Sequence, residues 1–559
     1  MKKFYILLTM ISLSVPLFTL AQWSDDPAVN TPVCTDPGEQ ALCKVAIGAN
    51  DNVFISYFDA QSGNYHVMLQ YLNRDGFFLW SQPVLVSDHN QDSWISDYDT
   101  RADHDGNCLT IFSDIRNGNT NPVIYKISPT GQHLWGPDGI TVSTDPTEEY
   151  SPVLCVTSEN KVVTAFTRST DSNYPLVMVA YDENGNTLWQ EGGIVLVPEG
   201  NFSYWVPVLV PVSGGDFIVV VSKRNGTSLY APRYIYAMRY HIDGTPAWSQ
   251  EIIISDAGGI NSWTDIQVKP DAHDGVIVAW HDDRNSDMVS SAFVQHVDGD
   301  GNLLLVEDGV ELSLNANHQR FYPQIAGEDV TSGDIFLFWY ETDYDQISSG
   351  LTGQAVSSIG TRLWGQNGKV IIPLGNSTYS IFGADLQQEQ CYVFYGAYGF
   401  GTTDVRIKAT CTDRGGNFVW PAQHIFISNT SQEVIHPYIS VYAYQQWIIG
   451  FTSTRGGTYD IYSQNMNDDG TLGINPIAVP EISAPEFSMF PNPVSDRLTI
   501  QAAPSDWIRI SDPAGKIVWE QEVIDKETVI DMSFLNPGIY FVTVTGEQGM
   551  LVKKVVHAK

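Results

Sequence analysis

Basic residues are scarce in this sequence: 29 lysines and arginines stand against 64 aspartates and glutamates, for a net charge of −35. A surface that acidic repels phosphate backbones and anionic lipid headgroups, so nucleic acid and acidic membranes are excluded as partners. Solvation and colloidal stability account for the excess, and no cofactor is expected. A divalent-cation role, with Ca2+ as the candidate ion, comes second. The stretch Asn465-Met-Asn467-Asp-Asp469-Gly470 opens like a calcium loop, but Pro476 stands where the closing glutamate belongs, so it reads as a hairpin turn and no metal ligands are assigned.

The common catalytic signatures are missing as well. HExxH, GxSxG, the P-loop and CxxC are all absent, which removes support for zinc-protease, serine-nucleophile and phosphate-cradling chemistry. No apolar run after residue 21 approaches the length of a membrane helix, so membrane insertion is not expected. Residues 1–21 read as a signal peptide, with Lys2 and Lys3 as the charged start, Phe4 to Leu20 as the apolar stretch and Thr19-Leu20-Ala21 at the cleavage site. Cysteine is sparse, at six residues. An exported chain can oxidise them, and Cys34 with Cys43, closing the loop CTDPGEQALC, is the first candidate bridge. Cys391 with Cys411 and Cys108 with Cys155 are the further candidates.

What the chain has instead of helical periodicity is a repeat. A turn glycine followed four residues later by tryptophan recurs as Gly76…Trp80, Gly131…Trp135, Gly185…Trp189, Gly244…Trp248, Gly360…Trp364 and Gly416…Trp420. Gly301…Leu305 and Gly470…Ile474 are degenerate copies, and Trp23 opens the series, with steps of 54 to 59 residues. Within one copy, WSQEIIISD, WTDIQVKP, GVIVAWHDDR and SSAFVQHVDGDG read as four short strands separated by turn formers. Four strands per copy, repeated eight times, predict an all-β, eight-bladed β-propeller over residues 22–474, or seven blades if a degenerate copy is lost. The recurring tryptophans read as plugs between blades. The ring is closed by the segment after Trp23 or by Ile474 to Val479, whose flanking Pro476 and Pro480 disfavour a ladder. The hairpins resemble the Asp-box of sialidase-type propellers, although glycine and tryptophan are four residues apart here and three there.

Two further patterns bear on function. Phe112-Ser-Asp114-Ile-Arg116, Trp280-His-Asp282-Asp-Arg284 and the weakened Phe451-Thr-Ser453-Thr-Arg455 put aromatic, acid and base on one strand face. They read first as a structural pair and second as a carboxylate-binding set. About fifteen residues beyond the anchor most repeats carry an aromatic: Trp94, Tyr150, Tyr204, Trp263, Tyr322 (or Phe321) and Tyr379. These are the candidate ligand-binding residues, flat platforms suited to sugar rings or to protein hot spots. The competing reading packs them between blades.

After Gly473 the composition changes. Pro476, Pro480 and Pro485 make 475–486 a stiff linker. Residues 487–559 read as a small β-sandwich of short strands. Phe490-Pro491-Asn492-Pro493, Leu498-Thr499-Ile500, Gly515-Lys516, Gly538-Ile539-Tyr540-Phe541-Val542 and Lys553-Lys554-Val555-Val556 follow in order. This segment resembles the type A C-terminal sorting domain of the type IX secretion system. The resemblance implies export through both membranes of a Bacteroidota-type Gram-negative cell, with the secretion machinery as partner and with Pro491, Asn492, Pro493, Gly515, Gly538, Tyr540, Lys553 and Lys554 as motif residues. The mature protein is then expected on the cell surface or released. Its propeller is expected to bind an extracellular glycan or protein. A glycan-acting hydrolase or lyase, or a plain scaffold, is the alternative, and a binding module is favoured over an enzyme.

Overall fold

The computed structural model describes residues 22–60, 64–91, 97–228, 230–399, 405–430, 432–474, 487–502, 507–513, 515–546 and 549–558. The expected signal peptide (1–21), the linker (475–486) and Trp94 lie outside them. The chain divides into two compact units after Ile474, and no helix of the described residues is long and apolar enough to cross a membrane.

Every sheet is antiparallel. The first unit contains eight four-stranded sheets among the described residues. Seven take four consecutive strands. Their first strands are Gln40–Ile47, Asp99–Ala102, Glu149–Val156, Phe202–Pro211, Gln267–Pro270, His318–Glu328 and Ser377–Gln387. The eighth is built from Val434–Ile439, Gln446–Ser453 and Asp460–Asn467, and its fourth strand is Thr31–Cys34 from the other end of the unit. Thr31 pairs with Ser463 and Cys34 with Ile461. First strands of successive sheets touch one another, and Val434–Ile439 touches Gln40–Ile47, so the circuit closes.

The middle strands explain the stacking. Val276–Asp282 (VIVAWHD) is buried at every position, as a strand must be when both of its faces are covered. Val276, Val278 and Trp280 pack with Ile218 and Val220 of the sheet before. Ile277 and Ala279 pack with Leu337 and Trp339 of the sheet after. Side-chain alternation thus feeds two different interfaces from one strand.

The recurring glycines and tryptophans meet across these interfaces. Each tryptophan sits on the turn of the next copy rather than on its own. Its indole N–H donates to that turn: Trp23 to Arg74 O at 2.7 Å, Trp80 to Pro129 O at 2.8 Å, Trp189 to Ile242 O at 2.8 Å and Trp364 to Arg414 O at 2.9 Å. The turn itself is held by its leading residue. The Asp298 carboxylate accepts the N–H groups of Asp300 and Asn302, and Asp413 accepts that of Asn417.

Closure has its own fastening. The amide of Asn30, buried, donates to Ile427 O at 2.9 Å and to Gln464 Oε1 at 3.1 Å, and its oxygen accepts from Ser428 at 2.7 Å and from Arg455 at 2.9 Å. All of that side chain's hydrogen-bonding capacity joins the seventh and eighth sheets. The motif around Arg455 carries Ser453 where the other copies carry aspartate, and the guanidinium takes the Asn30 carbonyl instead.

All six cysteines are buried free thiols, which corrects the proposed bridges. Cys34 and Cys43 stand on strands of different sheets and pack as small apolar residues in one cluster. Cys391 and Cys411 lie on paired strands but one residue out of register, so they face opposite sides of the sheet.

The second unit has a three-stranded sheet (Ser488–Phe490, Arg497–Gln501, Glu527–Asp531) and a four-stranded one (Ile517–Glu522, Trp507–Ser511, Gly538–Gly546, Gly549–His557). Leu498, Ile500, Ile508, Ile510, Val542 and Val544 form its own core.

Candidate ligand-binding site

The first strands share a distortion. Leu42, Ser151, Val206, Tyr322 and His436 all adopt left-handed backbone angles, with φ between 48° and 55°. Each sits in a register shift of its strand, and four of the five precede a proline. A non-glycine residue in that region costs about 1–2 kcal/mol, and a bulge of this kind turns side chains out of the pleat. The rim where the first strands begin therefore carries a set of re-aimed side chains.

Between the fifth and sixth sheets that rim opens into a pocket of about 380 Å³. Trp263 enters it from the segment before Gln267–Pro270. Phe321 and Tyr322 come from the bulge of His318–Glu328, and Tyr340 from the strand beside it. Trp263 is 49% exposed and Tyr322 38%. Their rings lie 6.1 Å apart, and Phe321 is 5.7 Å from Trp263. Asn261, Ser290, Gln319 and Gln346 supply amides and a hydroxyl. The pocket's one carboxylate, Asp283, accepts the backbone N–H groups of Asp287 and Met288.

His281 holds this cluster from beneath. It is fully buried, 4.8 Å from Trp263 and 5.2 Å from Tyr322 between ring centres. The Tyr322 backbone N–H donates to its Nδ1 at 3.3 Å, which leaves the proton on Nε2, facing the Thr264 hydroxyl at 3.2 Å. Burial pushes its pKa down to about 3, so the imidazole is neutral. Sequence reasoning missed it, because in WHDDR only the alternate positions 280, 282 and 284 were read as one face.

The other aromatic candidates do not join this pocket. Tyr204 is core: it is buried, and its hydroxyl donates to Glu251. The residue before the bulge, equivalent to Tyr150, is Trp205, and a one-residue offset in a strand reverses the face. Trp205 lies 6.1 Å from Tyr150 and under the Arg224 guanidinium at 4.1 Å. Tyr379 lines a separate pocket in the seventh sheet. The Asp–Arg pairs are structural. Arg116 binds the buried Asp114 and donates to Asp138 O at 2.7 Å, and Arg284 likewise joins Asp282 to Asp308 O.

Asp271, His296 and Glu328 bring three ligand-type atoms within 4.8 Å of one another. An imidazole in the set suits zinc-like ions better than calcium, which takes oxygen ligands. Asp271 also accepts the N–H groups of His273 and Gly275 and meets His296 Nε2 at 2.8 Å, so it serves as the post of a turn.

In the second unit several motif residues meet at the last strand. The Asn492 side chain donates to Lys554 O and accepts from Val556 N–H, both at 2.9 Å, tying the Pro491-Asn492-Pro493 turn to the last strand. Lys553 donates to Phe487 O, and Tyr540 to Asn536 O at 2.9 Å. Gly515 closes its hairpin at φ 82°, and Gly538 pairs with His557. Lys553 and Lys554 are exposed on the final strand.

Residues 488–558 match the family described as the secretion system C-terminal sorting domain. The chain is an exported cargo protein of the type IX secretion system, delivered to the cell surface or secreted, and its sorting domain engages that machinery. No curated protein is significantly similar in sequence. Among solved structures it is similar to a protein of unknown function from Dyadobacter fermentans, at 10% identity and a TM-score of 0.36, over 80% of this chain and 99% of that one. Polysaccharide lyase Uly1 is similar at 11% identity and 0.37, over 78% and 91%. A PL25 ulvan lyase is similar at 10% and 0.40, over 83% and 99%. Likenesses this distant carry no argument about function.

Proposed function

We propose that residues 22–474 form an eight-bladed β-propeller which, once exported, binds an extracellular glycan through the aromatic pocket between the fifth and sixth sheets. The closed circuit of eight sheets supports the architecture. In this reading residues 1–21 are removed as a signal peptide, and 475–486 link the propeller to the sorting domain at 487–559. The observation that carries the function is the exposure of Trp263 and Tyr322 at the rim, over amides and a hydroxyl that fit sugar hydroxyls. The lining holds one carboxylate, already engaged by backbone N–H groups, so it does not offer the pair that glycoside hydrolysis uses. Binding fits these residues better than catalysis.

The test is affinity for a panel of polysaccharides, measured on the secreted protein and on the Trp263→Ala, Tyr322→Ala double variant. Loss of two such platforms should weaken binding about 30-fold or more, the scale of a hot-spot residue, at an unchanged melting temperature. Undiminished binding by the folded double variant would sink the assignment.

A further inference from the structure

A second pocket, of about 230 Å³, opens on the same rim in the seventh sheet. Its charge runs against that of the molecule. Arg406 and Lys408 are two residues apart on Arg406–Asp413 and share a face, across from Ala397 and Tyr395 of the neighbouring strand. His424 joins them from the other side, paired with Thr410 on the same face. Tyr379 and Tyr398 supply aromatic rings, and none of the described lining residues is an aspartate or glutamate.

Elsewhere in this acidic chain most cations of the sheets find carboxylates, the buried cross-strand pair Arg224 and Arg233 excepted. Arg116, Lys126, Arg168, Lys223, Arg239 and Arg284 each pair with one at 2.6 to 3.0 Å. Among the described residues Arg406 and Lys408 have no such partner. Lys408 lies over the Phe426 ring at 4.4 Å. Burial and the adjacent Arg406 hold its pKa below the ordinary lysine range, and burial and Lys408 do the same to His424. Two like charges left side by side in a partly buried pocket repel each other, and an anion placed between them relieves both.

We propose that this pocket is a binding site for an acidic saccharide unit, whose carboxylate or sulfate is held by Arg406 and Lys408 while its ring lies against the tyrosines. The space exceeds what a lone oxyanion needs, and the tyrosine rings give the remainder a surface suited to a sugar. The assignment does not rest on the aromatic pocket of the sixth sheet.

Titration calorimetry on the secreted full-length protein tests it with four probes: a uronic-acid oligosaccharide, a sulfated oligosaccharide, a neutral oligosaccharide and inorganic sulfate. At least one acidic oligosaccharide should bind ten-fold or more tightly than the neutral one, and more weakly as salt is raised. Arg406→Gln and Lys408→Gln should each weaken that binding at least ten-fold, with melting temperature unchanged or raised because the repulsion is relieved. Equal affinity for acidic and neutral probes, or full binding by the double variant, would overturn the site. Inorganic sulfate binding as tightly as the acidic sugars would overturn the saccharide assignment.

Discussion

Trp23 and Gly76 are matched across the first interface so closely that a methyl group on the glycine would lie 2.6 Å from the indole ring. The same relation recurs for Trp135 with Gly185, Trp248 with Gly301 and Trp420 with Gly470, where the added carbon would stand 3.1, 3.2 and 2.7 Å away. These glycines therefore answer two demands: a φ near +85° and a flat seat for the neighbour's ring.

Gly76→Ala should therefore cost more than a left-handed penalty alone. Gly118 also has positive φ, at 96°, but nothing lies within 4 Å of its missing methyl. Gly118→Ala is expected to lose about 1 kcal/mol, and Gly76→Ala at least about 1–3 kcal/mol more from overpacking. Denaturant midpoints followed by tryptophan fluorescence check the difference. Equal losses would mean that the ring moves aside freely.

Asn30→Ala should open the junction of the seventh and eighth sheets. Four hydrogen bonds disappear, and the Arg455 guanidinium, already partly desolvated, loses its shortest acceptor and keeps only the longer contacts to hydroxyls. Stranding buried polar groups costs about 1–3 kcal/mol each, so a loss of about 3 kcal/mol or more is expected. Hydrogen exchange should rise first in Asp460–Asn467. A variant as stable as the parent would show that closure does not depend on this side chain.

The cysteines should be silent until the protein unfolds. Burial pushes the thiols of Cys43, Cys108, Cys155 and Cys411 up to about 12, far from the thiolate form that alkylates. Native protein should take up no iodoacetamide at neutral pH. Denatured without reductant, it should label at all six positions. Four labels after denaturation would reveal a bridge.

His281 makes the pocket acid-sensitive. Its folded pKa, about 3, lies below the ordinary value of 6.5, so the unfolded chain binds the extra proton between those values. Stability from this group is complete above pH 6.5 and falls as pH drops toward 3, by about 2 kcal/mol at pH 5. The pH dependence of unfolding should be shallower by that amount in His281→Gln. An unchanged slope would mean the imidazole is protonated in the folded state.

The repeat was legible because its turns impose glycine at fixed spacing, and the sorting motifs because they are local strings. The partner of each tryptophan was not. The spacing suggests Gly131 with Trp135, whereas Trp135 belongs to Gly185, and a contact between copies leaves no mark on one copy. Tyr204 misled for a related reason. The segment between Trp189 and the bulge is one residue longer than that between Trp135 and its bulge, so Trp205 takes the place of Tyr150. The cationic pocket stayed hidden because Arg406, Lys408 and His424 come from strands separated by a hairpin, and no single window contains the set.

In the first unit the strand that finishes the eighth sheet is synthesised first and its partner last; Asn30 waits for Ile427, 397 residues away. Pairings so distant are slow to form. A chain that stops early lacks the counterpart of its own beginning, leaving Thr31–Cys34 unpaired and the row of N–H and C=O groups on Asp460–Asn467 unmade or bare. Completeness of the first unit is thus a condition for closing the circuit.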